Sequence, residues 1–168
     1  IEERPAEVAE RSVPGHWEGD SILGKYKRSA LGTLVERTTR YTILVPLGEH
    51  KDAASVREAY AEAFKSLPAE LKKSLTYDQG KEMSEHEQFT IDTGIQVYFA
   101  HPGSPWERGT NENTNGLIRQ YFPKGTDFTQ VSKEEILEVQ RKLNDRPRRA
   151  LGYLKPDEVI NQLVALKT

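Results

Sequence analysis

Three acidic residues of this 168-residue chain stand at positions that local structure alone does not demand. Asp20 follows Gly19 inside an alternating stretch, Asp78 ends another just before Gln79-Gly80, and Glu112 lies early in a helical segment, thirty-three residues separating it from Asp78. Aspartate is poor in strands. Taken singly, either aspartate reads first as a turn residue beside glycine; the set is what suggests chemistry. Carboxylates supply the oxygen ligands that hard divalent cations require. A carboxylate pair could instead hydrolyse a glycosidic bond, but the acids come as three and lack a sugar-binding aromatic array. Three converging carboxylates would repel one another without a cation. The chain has no cysteine and only four histidines, which excludes disulfides and cysteine-type zinc sites and is compatible with a reducing cytoplasm.

The elements that must position these acids follow from periodicity. Strands are expected at about 16–23, 30–37 and 41–47, with turns at Gly24 and Thr38-Thr39-Arg40, an antiparallel meander. Val56, Tyr60, Ala63 and Leu67 keep helical spacing up to Pro68. A strand at 73–78 follows, then a short helix opened by Ser84-x-x-Glu87 and stopped by Gly94, then a strand through Ile95, Val97 and Phe99. A Pro/Gly loop spans 101–105 and a long helix 107–122. Ser132-x-x-Glu135 opens another helix with Ile136, Val139 and Leu143 on one face, and Pro156 suits the first turn of a last one. The order describes an α/β domain with a mixed sheet flanked by helices. Residues 1–13 read as a linker and 14–168 as the folded core.

Within the 107–122 helix, Arg108, Asn115 and Arg119 fall within about 60° of Glu112, whereas Thr110, Thr114, Leu117 and Tyr121 lie roughly opposite. The second stripe is expected to pack and the first to face outward. A solvated face with a Glu–Arg pair explains the charges. It does not explain why weak helix formers, glycine, threonine and three asparagines, crowd Gly109 to Gly116.

Composition narrows the function classes. With 24 basic and 26 acidic residues the net charge is −2, unlike a free-standing nucleic-acid binder, although positive charge clusters at Lys25–Arg28, Arg37/Arg40, Arg141/Lys142 and Arg146–Arg149. No apolar run reaches a membrane span, and no signal peptide is evident. The first residue is Ile1 and the only methionine Met83, so the chain reads as a piece of a longer protein.

The segments G-H-W-E-G-D (15–20), T-Y-D-Q-G-K-E (76–82), H-P-G-S-P-W-E-R-G-T-N-E-N-T-N-G-L-I-R-Q-Y-F-P-K-G-T-D-F (101–128) and N-D-R-P-R-R-A-L-G-Y-L-K-P-D-E-V (144–159) resemble transposases of the insertion-sequence-30 family, and more distantly retroviral integrase cores. The resemblance covers about 14–165. It implies a ribonuclease-H-like fold, a five-stranded mixed sheet whose first three strands are antiparallel. It also implies a catalytic and metal-binding triad at Asp20, Asp78 and Glu112, in which Asp20 bridges two ions, Asp78 completes one site and Glu112 the other. Mg²⁺ is the implied ion, with Mn²⁺ as a substitute. The implied activity is DNA cleavage and strand transfer on double-stranded transposon ends and target, by a homo-oligomer associated with the bacterial nucleoid. The N-terminal DNA-reading region of such transposases is missing.

Arg108, Asn115, Arg119, Lys124 and Arg146 are candidates for DNA contact; Asn144 and Arg148 could also grip phosphate or simply be solvated. His16 and Trp17 are expected in the core or on a strand face. Trp106 could stack on a base or pack, and His101 could be a catalytic helper or an ordinary loop histidine. The competing functions are a plain metal-dependent nuclease on the same fold and a catalytically silent DNA-binding or dimerisation module.

Overall fold

The computed structural model describes residues 4–7, 13–77, 83–101 and 109–167, with only the backbone at 109, 111, 112 and 165–167. The strands are β1 (His16–Leu23), β2 (Ala30–Glu36), β3 (Thr42–Gly48), β4 (Ser74–Tyr77) and β5 (Gln96–Phe99). The helices are α1 (Ala53–Phe64), α2 (His86–Thr93), α3 (Gly109–Ile118), α4 (Lys133–Asn144) and α5 (Pro156–Lys167). The sheet order is β3-β2-β1-β4-β5. β1, β2 and β3 pair antiparallel, while β4 joins β1 and β5 joins β4 in parallel. The five-stranded mixed sheet with an antiparallel first half is therefore the architecture expected from the sequence.

Alternation along β1 assigns its residues to two faces. Trp17 and Gly19 face α1 and α2, in a core with Leu34, Val45, Val56, Tyr60, Phe64, Leu75 and Phe89. Trp17 packs edge-on to Phe64 at 5.3 Å, and Phe64 meets Phe89 at 6.2 Å. The other face carries His16, Glu18, Asp20 and Ile22. Its apolar part, Ile22 with Leu31 and Leu44, packs against Ile118, Phe122, Phe128, Ile136, Val139 and Leu143. The second face is thus divided, apolar toward β2 and β3 under α3 and α4, polar toward β4.

Two expectations need correction. The helix expected over 107–122 ends at Ile118. Gln120 and Tyr121 then donate to the carbonyls three residues back, at 3.1 and 3.0 Å, a tightened turn. Pro123, which has no amide hydrogen to continue the ladder, follows that turn. The start of that segment, 102–108, lies outside the described residues. Ser84 does not cap α2; Glu85 occupies the cap position without a capping side chain. Its carboxylate is drawn to Arg57, whose Nε donates to it at 3.1 Å. Gly94 does close α2, in the left-handed conformation at φ +77°, and Ser132 Oγ caps α4 by accepting from the Glu135 amide at 3.1 Å.

Candidate active site

Asp20 lies half-buried on the divided face of β1, where the polar part meets the apolar one. Its Oδ1 accepts from the Ser21 amide at 2.8 Å, and its Oδ2 accepts from Asn115 Nδ2 at 3.0 Å. Its carbonyl accepts from the Tyr60 hydroxyl at 2.7 Å and from Thr33 Oγ1 at 3.3 Å. Backbone and side chain are therefore both held from neighbouring elements.

The glycine before Asp20 has a steric cause. A Cβ on Gly19 would stand 2.8 Å from Tyr77 Cδ2 and 2.9 Å from Leu75 Cδ1. On the adjacent strand, a Cβ on Gly32 would stand 2.6 Å from Tyr60 Cε1. The two glycines make room behind the site for the rings of Tyr77 and Tyr60, both buried. Tyr60 reaches the Asp20 carbonyl only because Gly32 lets its ring lie against the sheet.

Two residues before Asp20, and on the same face, Glu18 Oε2 accepts from Arg37 Nη1 at 3.0 Å. Glu18 is 0% and Arg37 2% exposed, so this pair is withdrawn from water. His16 continues the row, with Nδ1 2.6 Å from Ser74 Oγ and Nε2 2.8 Å from Glu7 Oε1. Trp17 is fully buried and donates to the Leu71 carbonyl at 2.7 Å. The strand-face and core roles expected for His16 and Trp17 are those observed.

Helix α3 lies along β1. Of the stripe expected to pack, Thr110 and Thr114 are buried and Leu117 and Tyr121 are half-buried at the margin, while Ile118, outside that stripe, is the fully buried apolar residue of the helix. Asn115 leaves the expected outward stripe to reach Asp20. Arg119 leaves it to reach the end of β1: Nη2 donates to the Leu23 carbonyl at 3.0 Å, and Nη1 to the Phe122 and Pro123 carbonyls at 3.4 Å each. Burial of this guanidinium lowers its pKa. Asn115 and Arg119 thus stitch α3 to β1 at two points, and Glu112 lies one turn before Asn115 on the same side of the helix.

The remaining candidates separate. Asp78, Arg108 and Trp106 lie outside the described residues, as does the side chain of Glu112. Lys124 is exposed in the turn after α3. Arg146 donates to Gln120 Oε1 at 3.1 Å. His101 is exposed. Asn144 does not face solvent: its Oδ1 accepts from the Thr42 amide and its Nδ2 donates to the Thr42 carbonyl, both at 2.8 Å. Sequence reasoning missed Tyr60 and Thr33 as supports of the site, and the Glu18–Arg37 pair beside it. The available signal was glycine at 19 and 32, inside strands where glycine marks close approach.

The donor set suits a hard cation. Asp20 offers carboxylate oxygen at the mouth of the polar half-face, held in orientation by N–H donors rather than by packing alone. Among the described residues no group of three or more His, Cys, Asp or Glu converges on one point.

A sheet of this order, with its first strand carrying a held aspartate and a helix laid along that strand, defines the ribonuclease-H-like integrase core. The chain matches the integrase core domain family over residues 10–105 and belongs to it. It is 52% identical over 166 residues to the transposase InsI for insertion sequence element IS30A of Escherichia coli, covering 99% of this chain and 43% of that protein. It is 48% identical over 168 residues to the transposase for insertion sequence element IS1086 of Cupriavidus metallidurans, covering 100% and 49%. The chain therefore spans about half the length of these curated relatives. Among solved structures, a chain of the simian T-cell lymphotropic virus intasome in complex with the PP2A regulatory subunit B56 gamma shares the fold, with a TM-score of 0.62. Identity there is 19%, over 79% of this chain and 49% of that one.

Proposed function

We propose that this chain is the catalytic core of a DNA transposase that cleaves and joins DNA at transposon ends, with Asp20, Asp78 and Glu112 holding two Mg²⁺ ions. The observation that carries the reading is the Asn115–Asp20 hydrogen bond, which lays the helix of Glu112 against the strand of Asp20. Strand register supports the third member. β1 and β4 pair in parallel with Glu18 opposite Thr76, and Asp20 and Asp78 each come two residues further along the chain.

In this reading Asp20, Asp78 and Glu112 would together hold the two ions, and Mn²⁺ would substitute for Mg²⁺. The bound ions supply activation of water or a 3′-hydroxyl and take up charge on the leaving oxygen. Asn115 and the Ser21 amide fix the Asp20 carboxylate in rotation, so that its oxygens are presented without reorganisation. The Tyr60 hydroxyl and Thr33 anchor the strand beneath it. Lys124, Arg146 and Arg108 are proposed to meet the DNA backbone, Arg119 to serve both strand and DNA. A net charge of −2 suits a domain that leaves tight, sequence-selective end binding to other parts of the full-length protein, acting as more than one protomer.

The test is strand cleavage and joining by the full-length transposase on DNA carrying transposon ends. Asp20→Asn, Asp78→Asn and Glu112→Gln should each abolish both steps in Mg²⁺ while the circular dichroism spectrum stays unchanged. Wild-type turnover by any one of them removes that residue from the site. Cutting without joining by the unmutated protein would make it a nuclease on this fold.

A further inference from the structure

Beyond the carboxylates, the described residues gather like charge where the turn between β2 and β3, the flank of α3 and the connector after α4 come together. Arg148 is 8% exposed. Its Nη2 donates to the Leu143 carbonyl at 3.0 Å, while its Nε is buried without a hydrogen-bond partner. Its backbone is fully committed, the amide to the Leu154 carbonyl and the carbonyl to the Leu151 and Tyr153 amides, so the main chain that carries it is fixed. Arg146 bonds to Gln120, a neutral partner that leaves its charge in place. Asp145, the nearest acid in sequence, is taken by Lys155 Nζ at 3.0 Å. Arg40, held at φ +64°, donates to Thr110 Oγ1 in the first turns of α3.

We propose that Arg40, Arg146 and Arg148 form a phosphate-binding element on the flank of α3, which takes the backbone of the bound DNA away from the carboxylates. The inference rests on the transposase reading above. Arg40 is tied to Thr110 near the start of α3 and Arg146 to Gln120 just past its end, and Arg148 lies within electrostatic reach of both. Buried arginine keeps its charge, so it needs an anion rather than deprotonation. Burial, with Arg146 and Arg40 nearby, brings the Arg148 pKa down to about 10; it remains a cation at neutral pH. An arginine that only capped the end of α4 would account for its bond to Leu143, but not for two further arginines gathered around it. A phosphodiester supplies one negative charge and oxygens matched to the guanidinium fork. DNA supplies these in a row.

The test is DNA binding by full-length transposase carrying Asp20→Asn, measured over a potassium chloride series. Arg146→Ala, Arg40→Gly and Arg148→Gln should each lower affinity on every sequence; glycine is chosen at position 40 because it tolerates the positive φ. Each should also reduce the magnitude of the log K versus log salt slope by about 1. Arg141→Ala is the comparator, since Arg141 is exposed and paired with Glu138. Arg146→Ala and Arg40→Gly lines that superimpose on the Arg141→Ala line overturn the proposal, and these two decide it should Arg148→Gln not fold. A second arm compares thermal midpoints in inorganic phosphate and chloride at equal ionic strength. A midpoint raised by phosphate and lost in Arg146→Ala, with DNA slopes unchanged, means a free-phosphate site and equally overturns the proposal. Cleavage and joining by the full-length protein with Asp20 intact are scored separately: failure of both on transposon ends would sink the transposase reading without touching these slopes.

Discussion

Asn115 and Asp20 are ninety-five residues apart in sequence and 3.0 Å apart at Nδ2 and Oδ2. That bond fixes both the rotation of the carboxylate and the seat of α3 on β1. Asn115→Ala should therefore act on metal use more than on folding. A neutral hydrogen bond contributes about 1 kcal/mol to stability, whereas loss of a residue that orients a metal ligand costs about 10–100-fold in metal affinity or activity. Titration of cleavage against Mg²⁺ should show the half-saturating concentration raised by that order. An unchanged Mg²⁺ curve would show that Asn115 only packs.

Gly19→Ala should be damaging despite its small size. The new methyl would overlap Tyr77 and Leu75, and overpacking of this kind costs about 1–3 kcal/mol. Tyr77 is the residue before Asp78, so cleavage should fall more steeply than stability. Urea unfolding together with single-turnover cleavage separates the two effects.

The Glu18–Arg37 pair gives a third prediction. Removing one partner of a buried ion pair strands the other charge and costs about 3–5 kcal/mol. Arg37→Met should show that loss in urea unfolding, and Arg37→Met with Glu18→Leu should recover much of it. A double variant no better than the single would mean that the other groups around the pair, not the pair itself, hold this corner.

Arg119→Ala tests the end of the stitch. Its guanidinium spans the Leu23, Phe122 and Pro123 carbonyls, so thermal stability should drop modestly, by about 1 kcal/mol. If Arg119 also meets DNA, the salt slope should fall by about 1 in parallel. Arg141→Ala is the comparison, Arg141 being exposed and paired with Glu138, since Arg57 links α1 to α2 through Glu85 and Asp92 at 3.1 and 2.9 Å.

What could be read from the chain and what could not divide along physical lines. Val56 and Tyr60, and Ile136, Val139 and Leu143, announced the buried faces of α1 and α4 because helical periodicity is local. Thr110 and Thr114 on the inward side of α3 were legible for the same reason, and Ile118, buried beside them, was not. The partners of the outward stripe were not. Asn115 and Arg119 found β1 only because the sheet brought Asp20 and Leu23 to that side. Glu18 and Arg37 pair through hairpin register, which composition does not encode. The Ser84 cap did not form: the cap position falls one residue later, at Glu85, whose carboxylate pairs with Arg57 of another helix. Asp78 and Glu112 were singled out from sequence, and their assignment still rests on motif, register and the Asn115 bond together.

The outer edge of β3 has a further consequence. Thr42 presents its amide and carbonyl to Asn144, and the Leu44 amide donates to Gln140 Oε1 at 3.0 Å. The next residue of the same parity is Pro46, which has no amide hydrogen to offer. From Thr42 to Pro46, two side-chain amides of α4 and one proline thus consume the donors that this margin would show to a neighbour. A free sheet margin templates strand addition and aggregation; this one is closed. From Thr42 to Pro46 the margin therefore offers an approaching strand no amide hydrogen with which to begin pairing.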